Sequence, residues 1–246
     1  MLCEMTGVQE QLYRDELARA QHMVLSTSGF DGLNRQRFAI LQALTRLRQI
    51  CCHPSLVQKD AAGADDDSAK LTATLELIEE LHAEGHKVLL FSQFVSMLKI
   101  IREKLDAMSL PYHWLTGAST NRSEIVRGFQ EDDKASVFLL SLKAGGSGLN
   151  LTAASYVILY DPWWNPAVEA QAIDRAHRIG QTQPVMAYRM LTKNTIEEKI
   201  MLLQQKKNLM ASSVLGGETG FSRTLEREDF EFLFDIEAEE RSRANA

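Results

Sequence analysis

Two arginines stand three positions apart in the run Gln171-Ala172-Ile173-Asp174-Arg175-Ala176-His177-Arg178-Ile179-Gly180-Gln181. On a helix, Arg175 and Arg178 share one face, and a pair of planar guanidinium forks suits phosphate oxygens. Asn165 as N-cap, Pro166 in the first turn and Gly180 at the end bound the expected helix. The same spacing also fits a solvated face on which Asp174 and Arg178 pair at i,i+4, and the run alone leaves both readings open. Upstream, Ser141-Leu142-Lys143-Ala144-Gly145-Gly146-Ser147-Gly148-Leu149-Asn150-Leu151 places glycines after an apolar strand-like run. Glycines there let backbone amides approach a phosphate or a nucleic-acid backbone closely, or make a tight turn that leaves Lys143 exposed. The loop is not a Walker A motif, because no glycine in the chain is followed by Lys-Ser or Lys-Thr. Asp161-Pro162-Trp163-Trp164-Asn165-Pro166 sets two indoles side by side. Trp163 is expected to anchor the loop in the core and Trp164 to face a nucleic acid as a wedge or stacking group, with packing of both as the alternative. His177 is given no catalytic part, since a lone histidine beside arginines is more often a packing or hydrogen-bonding residue.

These residues need a scaffold, and the sequence supplies a periodic one. Helical spacing runs from about Thr6 to Gln58, with a break expected at Phe30-Asp31-Gly32 and a stop at His53-Pro54. Residues 59–69 carry few apolar side chains and a short acidic run, so they read as an exposed linker. Helices and short β-rich runs then alternate: helix 70–84, strand 87–92, helix 94–108, strand 112–115, helix 121–130, strand 136–142, strand 156–160, the arginine helix and strand 185–191. Such alternation demands a parallel sheet covered by helices. Asn194-Thr195-Ile196-Glu197 reads as a capping box that opens a long helix to about Ser213. The expected organisation is therefore a helical brace at 1–58, a linker at 59–69, an α/β lobe at 70–192 and a brace helix with tail at 193–246. Ligands of such sheets gather outside the carboxyl ends of the strands. The loops after four of the strands carry Ser92-Gln93, Thr116-Gly117, Lys143 to Gly148, and Asp161 to Pro166.

The chain has 246 residues, 45% of them hydrophobic and 24% charged, in the range of globular proteins. A net charge of −6 argues against coating nucleic acid by bulk attraction, so a nucleic-acid site has to be local. Cys3, Cys51 and Cys52 lack metal-ligand spacing, which predicts reduced, buried thiols and no zinc. No signal peptide is evident and no apolar run approaches the roughly 20 residues that cross a bilayer; a cytoplasmic protein is expected. The opening Met1-Leu2-Cys3-Glu4-Met5-Thr6 runs into a helical pattern without a cap, as if cut from a longer polypeptide.

Phe91-Ser92-Gln93-Phe94, Leu115-Thr116-Gly117-Ala118-Ser119-Thr120, Lys143 to Leu151, Trp164-Asn165-Pro166 and the Arg175/Arg178 segment together resemble the Swi/Snf family of helicase-like ATPases, of bacterial type. The resemblance extends from Leu47 to Ile200, ending in Thr195-Ile196-Glu197-Glu198-Lys199-Ile200. It implies the second, C-terminal RecA-like lobe of a double-stranded DNA translocase, with ATP and Mg between this lobe and an N-terminal RecA-like lobe. It further implies that Arg175 and Arg178 are arginine fingers, with Gln171, Gly146 and Gly148 on the nucleotide side. Ser92, Gln93, Thr116, Gly117, Lys143 and Trp164 are implied on the nucleic-acid side. The phosphate loop and the metal motif of the family belong to the first lobe, so the chain alone is expected to turn over little or no ATP. The helices at 6–53 and 195–213 read as braces crossing between the lobes, and a location at the nucleoid follows if the source is bacterial. Two other readings stay open: a non-enzymatic lobe that docks a partner such as RNA polymerase, and an RNA-directed helicase.

Overall fold

The computed structural model describes residues 1–5, 7–26, 29–58, 68–132, 137–145, 149–177, 184–210 and 225–236. In chain order the elements are β1 (Leu2–Cys3), α1 (Gly7–Leu25), α2 (Gly29–Cys52), a 3-10 turn (Pro54–Leu56), α3 (Ala69–Ala83), β2 (Val88–Ser92), α4 (Val95–Ala107), β3 (Tyr112–Leu115), α5 (Arg122–Glu131), β4 (Val137–Ser141) and α6 (Leu142–Gly145). They continue with β5 (Tyr156–Leu159), α7 (Pro166–Ile173), β6 (Met186–Arg189), β7 (Leu191–Thr192), α8 (Ile196–Met210) and α9 (Arg227–Leu233). Contacts divide the chain into two units, residues 1–3 with 69–191, and residues 4–68 with 192–246.

The first unit is α/β. Its five strands lie in the order β3-β4-β2-β5-β6, and every neighbouring pair is parallel. Val88-Leu89-Leu90-Phe91-Ser92 and Val137-Phe138-Leu139-Leu140-Ser141 are buried at every position. Continuous apolar runs of this kind belong to strands covered on both faces, whereas the outermost strands β3 and β6 are only partly enclosed. The core gathers Leu89, Phe91, Phe129, Phe138, Leu140 and Trp163. Lys87, ahead of β2, donates to the Phe129 carbonyl at 2.7 Å and lies 5.2 Å from the Phe129 ring centre, tying the end of α5 to the sheet. The chain leaves β2 toward β3 and β4 on one side, while β5 and β6 lie on the other, so the strand order reverses beside β2. A crevice at the carboxyl ends follows from that reversal.

The second unit is helical. Ile40, Ala43, Leu44, Leu47 and Ile50 make one buried stripe along α2. Tyr13, Ala20 and Val24 of α1 are buried too, as are Ile200 and Leu203 of α8 and Phe230 and Leu233 of α9. Polar groups pin the ends of these helices. Gln9 donates to the Ile50 carbonyl at 2.7 Å, and the Ile196 N–H donates to the Tyr13 hydroxyl at 2.7 Å. The Glu197 carboxylate accepts the Thr192 N–H at 2.7 Å, and Glu198 accepts the Asn194 N–H, so the turn before α8 is capped twice.

The helix break expected at Phe30–Gly32 falls earlier, because α1 ends at Leu25 and α2 begins at Gly29. Of the linker expected at 59–69, residues 59–67 lie outside the described residues, while Ser68 is buried rather than exposed and Ala69 already opens α3. A larger difference concerns the arginine helix. It ends at Ile173, with Asp174 as C-cap, and the chain goes on through a turn. The Arg175 N–H reaches back only three residues, to the Ala172 carbonyl at 3.3 Å, and Ala176 likewise to Ile173 at 3.0 Å. The Ile173 carbonyl also accepts the His177 N–H at 3.1 Å, so three- and four-residue bonds mix in this last turn; the regular helix stops short of Arg175, and Arg178 lies outside the described residues.

Candidate nucleotide and nucleic-acid edge

The carboxyl edge of the sheet is organised by two buried carboxylates. Asp161 follows β5 and is 1% exposed. It accepts the hydroxyl of Ser92 at the end of β2, the side-chain amide of Gln93, and the Gln93 backbone N–H at 3.3 Å. The Ser92 oxygen in turn accepts the Phe94 N–H at 3.1 Å, which starts the loop into α4. Glu169, in the first turn of α7, accepts the Trp163 N–H at 2.7 Å through one oxygen. Its other oxygen accepts the Nε and Nη2 of Arg189, at the end of β6, at 2.9 and 2.6 Å. A bidentate guanidinium is what allows a carboxylate to remain buried there. Asn165 caps α7 by accepting the Ala167 N–H at 2.9 Å, and Pro166 occupies the first turn.

At the neighbouring strand ends, Thr116 and Ser119 close a tight turn: the Thr116 N–H donates to the Ser119 hydroxyl at 3.0 Å, and the Ser119 N–H to the Thr116 carbonyl at 3.1 Å. Gly117 at its tip is exposed, with nothing within 4 Å of where a Cβ would stand. The Ser141 hydroxyl accepts the Ala144 N–H at 3.3 Å, setting α6 onto the end of β4. Lys143 lies in α6, and its side chain, together with Gly146, Gly148 and Arg178, lies outside the described residues. The far end of the glycine loop is tied back, because the Leu151 N–H donates to the Arg175 carbonyl at 3.0 Å.

Three side chains expected on the nucleic-acid side lie inside the edge. Ser92 is 0% exposed and its hydroxyl donates to Asp161, which ties the end of β2 to the loop after β5. Thr116, at 5% exposure, is likewise enclosed. Trp164 is 6% and Trp163 4% exposed, so both indoles pack. Asp161 holds the start of this loop, Glu169 the Trp163 backbone, and Asn165 caps the helix that follows, so the backbone carrying both rings is fixed at three points. Arg175 is also largely buried, at 9% exposure, while Gln171 and His177 are exposed and Gln93 is half-buried. Asp161, Glu169 and Arg189 were not singled out in the sequence. The sequence marks only an aspartate ending an apolar strand just before proline and a glutamate in the first turn after a capped Asn-Pro; it carries no sign of the partners these carboxylates take.

With its carboxylates taken up by donors, this edge leaves the Gly117 turn and Gln171 exposed and Gln93 half-buried. A parallel sheet with that equipment at its carboxyl edge defines an α/β lobe of the RecA-like class. Residues 69–180 match the helicase conserved C-terminal domain. The C-terminal domain of the Sulfolobus solfataricus SWI2/SNF2 ATPase aligns over 97% of this chain and 97% of its own, with 30% identity and a TM-score of 0.76. The same ATPase core in complex with double-stranded DNA aligns over 97% of this chain and 50% of its own, with 31% identity and a TM-score of 0.78. An uncharacterized ATP-dependent helicase of Mycoplasma pneumoniae is 36% identical over 94% of this chain. The chain belongs to the SWI2/SNF2 ATPases, as the C-terminal lobe of their helicase-like motor. It spans only 22% of the length of the Mycoplasma relative and 25% of one from Bacillus subtilis.

Proposed function

We propose that this lobe is one half of a double-stranded DNA translocase, closing on an N-terminal RecA-like lobe around ATP so that each cycle steps the duplex and remodels protein bound to it. The observation that carries the reading is the convergence of the β2, β3 and β5 loops and the Arg175 turn on one edge of the sheet. The solved relative with duplex DNA supports the choice of nucleic acid. In this reading, Gln93, Gly117 and Lys143 contact the DNA backbone, while Ser92, Thr116 and Trp164 shape the loops that present them. Arg178, Gln171 and the Gly146–Gly148 stretch face the nucleotide. Arg175 shares the charge on the transferring phosphoryl group when the lobes close, or braces Arg178 from within the turn.

Mg accompanies ATP and is held by the first lobe. That assignment is supported by the donor set: Asp161 and Glu169 are consumed by hydroxyl, amide and guanidinium donors, and no group of three candidate ligands stands together among the described residues. With no Gly-Lys-Thr loop in its sequence, the chain by itself turns over little or no ATP. Work on chromosomal DNA fits an intracellular protein. No helix among the described residues is long and apolar enough to cross a membrane.

The test is ATP turnover by the full-length protein with and without double-stranded DNA, beside Arg178→Ala. Stimulation by duplex DNA that is lost in the variant supports a motor with its finger in this lobe. Stimulation by RNA alone assigns an RNA helicase, and no turnover by either protein assigns a docking lobe for a partner such as RNA polymerase.

A further inference from the structure

We propose that Glu169 is a positioning residue that couples the DNA-facing loop to the arginine segment; the inference rests on the translocase reading above. The stretch from Asp161 to Asn165 is pinned at its start, by Asp161, and at its midpoint, by the backbone of Trp163. At its start Asp161 holds Ser92 and Gln93, and at its midpoint Glu169 folds back to take the Trp163 backbone N–H at 2.7 Å while its second oxygen grips Arg189 at 2.9 and 2.6 Å. The loop is thus fastened to β2 on one side and β6 on the other, the two strands that flank β5 in the sheet. From Glu169 the helix runs directly to the turn that carries Arg175, whose carbonyl holds Leu151 at the end of the glycine loop.

Helix α7 is eight residues long and about 12 Å from end to end, short enough to move as a rigid lever. Its fulcrum is the Glu169 carboxylate, 2% exposed while its partner Arg189 is 37% exposed. A shift of Gln93 imposed by a DNA backbone is passed through Asp161 to the loop. Because Glu169 fixes the loop to the helix, that shift reaches the arginine turn instead of being absorbed at Trp163. Without the clasp, α7 pivots on Asn165 and Pro166, and the two ligand regions move independently. Coupling of this kind is established by variants, not by spatial continuity.

The experiment measures the full-length protein, with ATP turnover titrated against both ATP and a duplex of fixed length, for wild type, Glu169→Gln, Arg189→Lys and the double variant. Glutamine keeps the size of Glu169 but loses the charge and one of the two acceptor oxygens, so it can accept from Arg189 or from the Trp163 N–H but not from both; lysine keeps the charge of Arg189 but lacks the planar fork. The expected result is a roughly tenfold fall in DNA-stimulated kcat for Glu169→Gln and about threefold for Arg189→Lys. KM for ATP and Kd for the duplex stay within twofold, the pattern of a lost transition-state interaction. The double variant is no worse than Glu169→Gln alone, since both break one clasp. Amide exchange in residues 166–175 speeds up in Glu169→Gln. A lower Tm with unchanged stimulated kcat, a double variant whose losses multiply, or unchanged exchange in 166–175 would each overturn the clasp. If Glu169→Gln does not fold, Arg189→Lys, on the exposed side of the pair, decides by the same kcat and KM criteria. Absence of DNA stimulation in the wild-type protein overturns the translocase reading instead, and the exchange measurement tells the two failures apart.

Discussion

Replacing Asp161 by alanine should cost about 3 kcal/mol of folding stability, a figure that follows from three hydrogen bonds of unequal weight. Ser92 is 0% exposed, so its hydroxyl has no water to fall back on when the carboxylate is gone; that loss is worth about 2 kcal/mol. Gln93 is half-buried, and its 3.3 Å backbone bond and side-chain amide rehydrate at a combined cost of about 1–2 kcal/mol. Removing a buried charge returns part of its desolvation cost, which trims the sum to about 3 kcal/mol. For a chain of 246 residues this lowers Tm by about 6–12 °C. Ser92→Ala removes the same central bond and should cost about 2 kcal/mol, yet Asp161→Ala/Ser92→Ala together should cost no more than about 3 kcal/mol, because the hydroxyl left stranded by the first change is absent in the double variant. The assay is urea unfolding followed by tryptophan fluorescence, with Trp163 and Trp164 on the same loop as local reporters. An Asp161→Ala protein within about 0.5 kcal/mol of wild type, or a double variant at the sum of the singles, would refute the reasoning.

His113 lies on β3 beside the aromatic rings of Phe129 and Phe138, and burial, joined by the Lys87 ammonium and opposed by Asp132, holds its pKa below the ordinary 6.5. The unfolded chain therefore protonates first as pH falls: stability from His113 is complete above 6.5 and is lost as pH drops from there through the lower folded value. Unfolding midpoints between pH 5 and 8 should show this loss, and His113→Gln should flatten it. Tyr13→Phe strips the acceptor from the Ile196 N–H, bonded at 2.7 Å in a buried setting, and should cost about 1–2 kcal/mol with faster exchange of that amide; an unchanged exchange rate would mean that the hydroxyl does not hold α8.

The sheet was legible because its signals are strong and local. Apolar runs at Val88–Ser92 and Val137–Ser141 have no helical period, and the five strands formed where the pattern placed them, within a residue or two at each end. Asn165 and Pro166 likewise announced the start of α7. Its end was not legible, since Asp174, Arg175 and Ala176 are all compatible with a helix; the chain leaves the α-helix there while the Arg175 carbonyl takes a partner far away in sequence, Leu151. The same limit hid the edge network. Nothing local to Ser92 says that its hydroxyl will meet Asp161 at the end of the neighbouring strand, and a pair of adjacent tryptophans gives no sign that both will pack inward. Residue types gave the chemistry of the edge; which side chains hold it together and which face outward depended on contacts distant in sequence.

The helical unit is assembled from residues 4–68 and 192–246, with 69–191 between them in the chain but not in the unit. On the ribosome that order imposes a delay. The α/β lobe can complete its sheet once β6 has emerged, whereas α1 and α2 carry their apolar stripe, with Ile40, Leu44 and Leu47, long before α8 and α9 exist to cover it. At about 5–20 residues per second, the roughly 180 residues from the end of α2 to the end of α9 take about 10–40 s to synthesise. For that interval the nascent chain carries α1 and α2 without the later helices of their unit, while the α/β lobe is free to finish folding, so within these residues α1 and α2 stay longest open to chaperones and proteases.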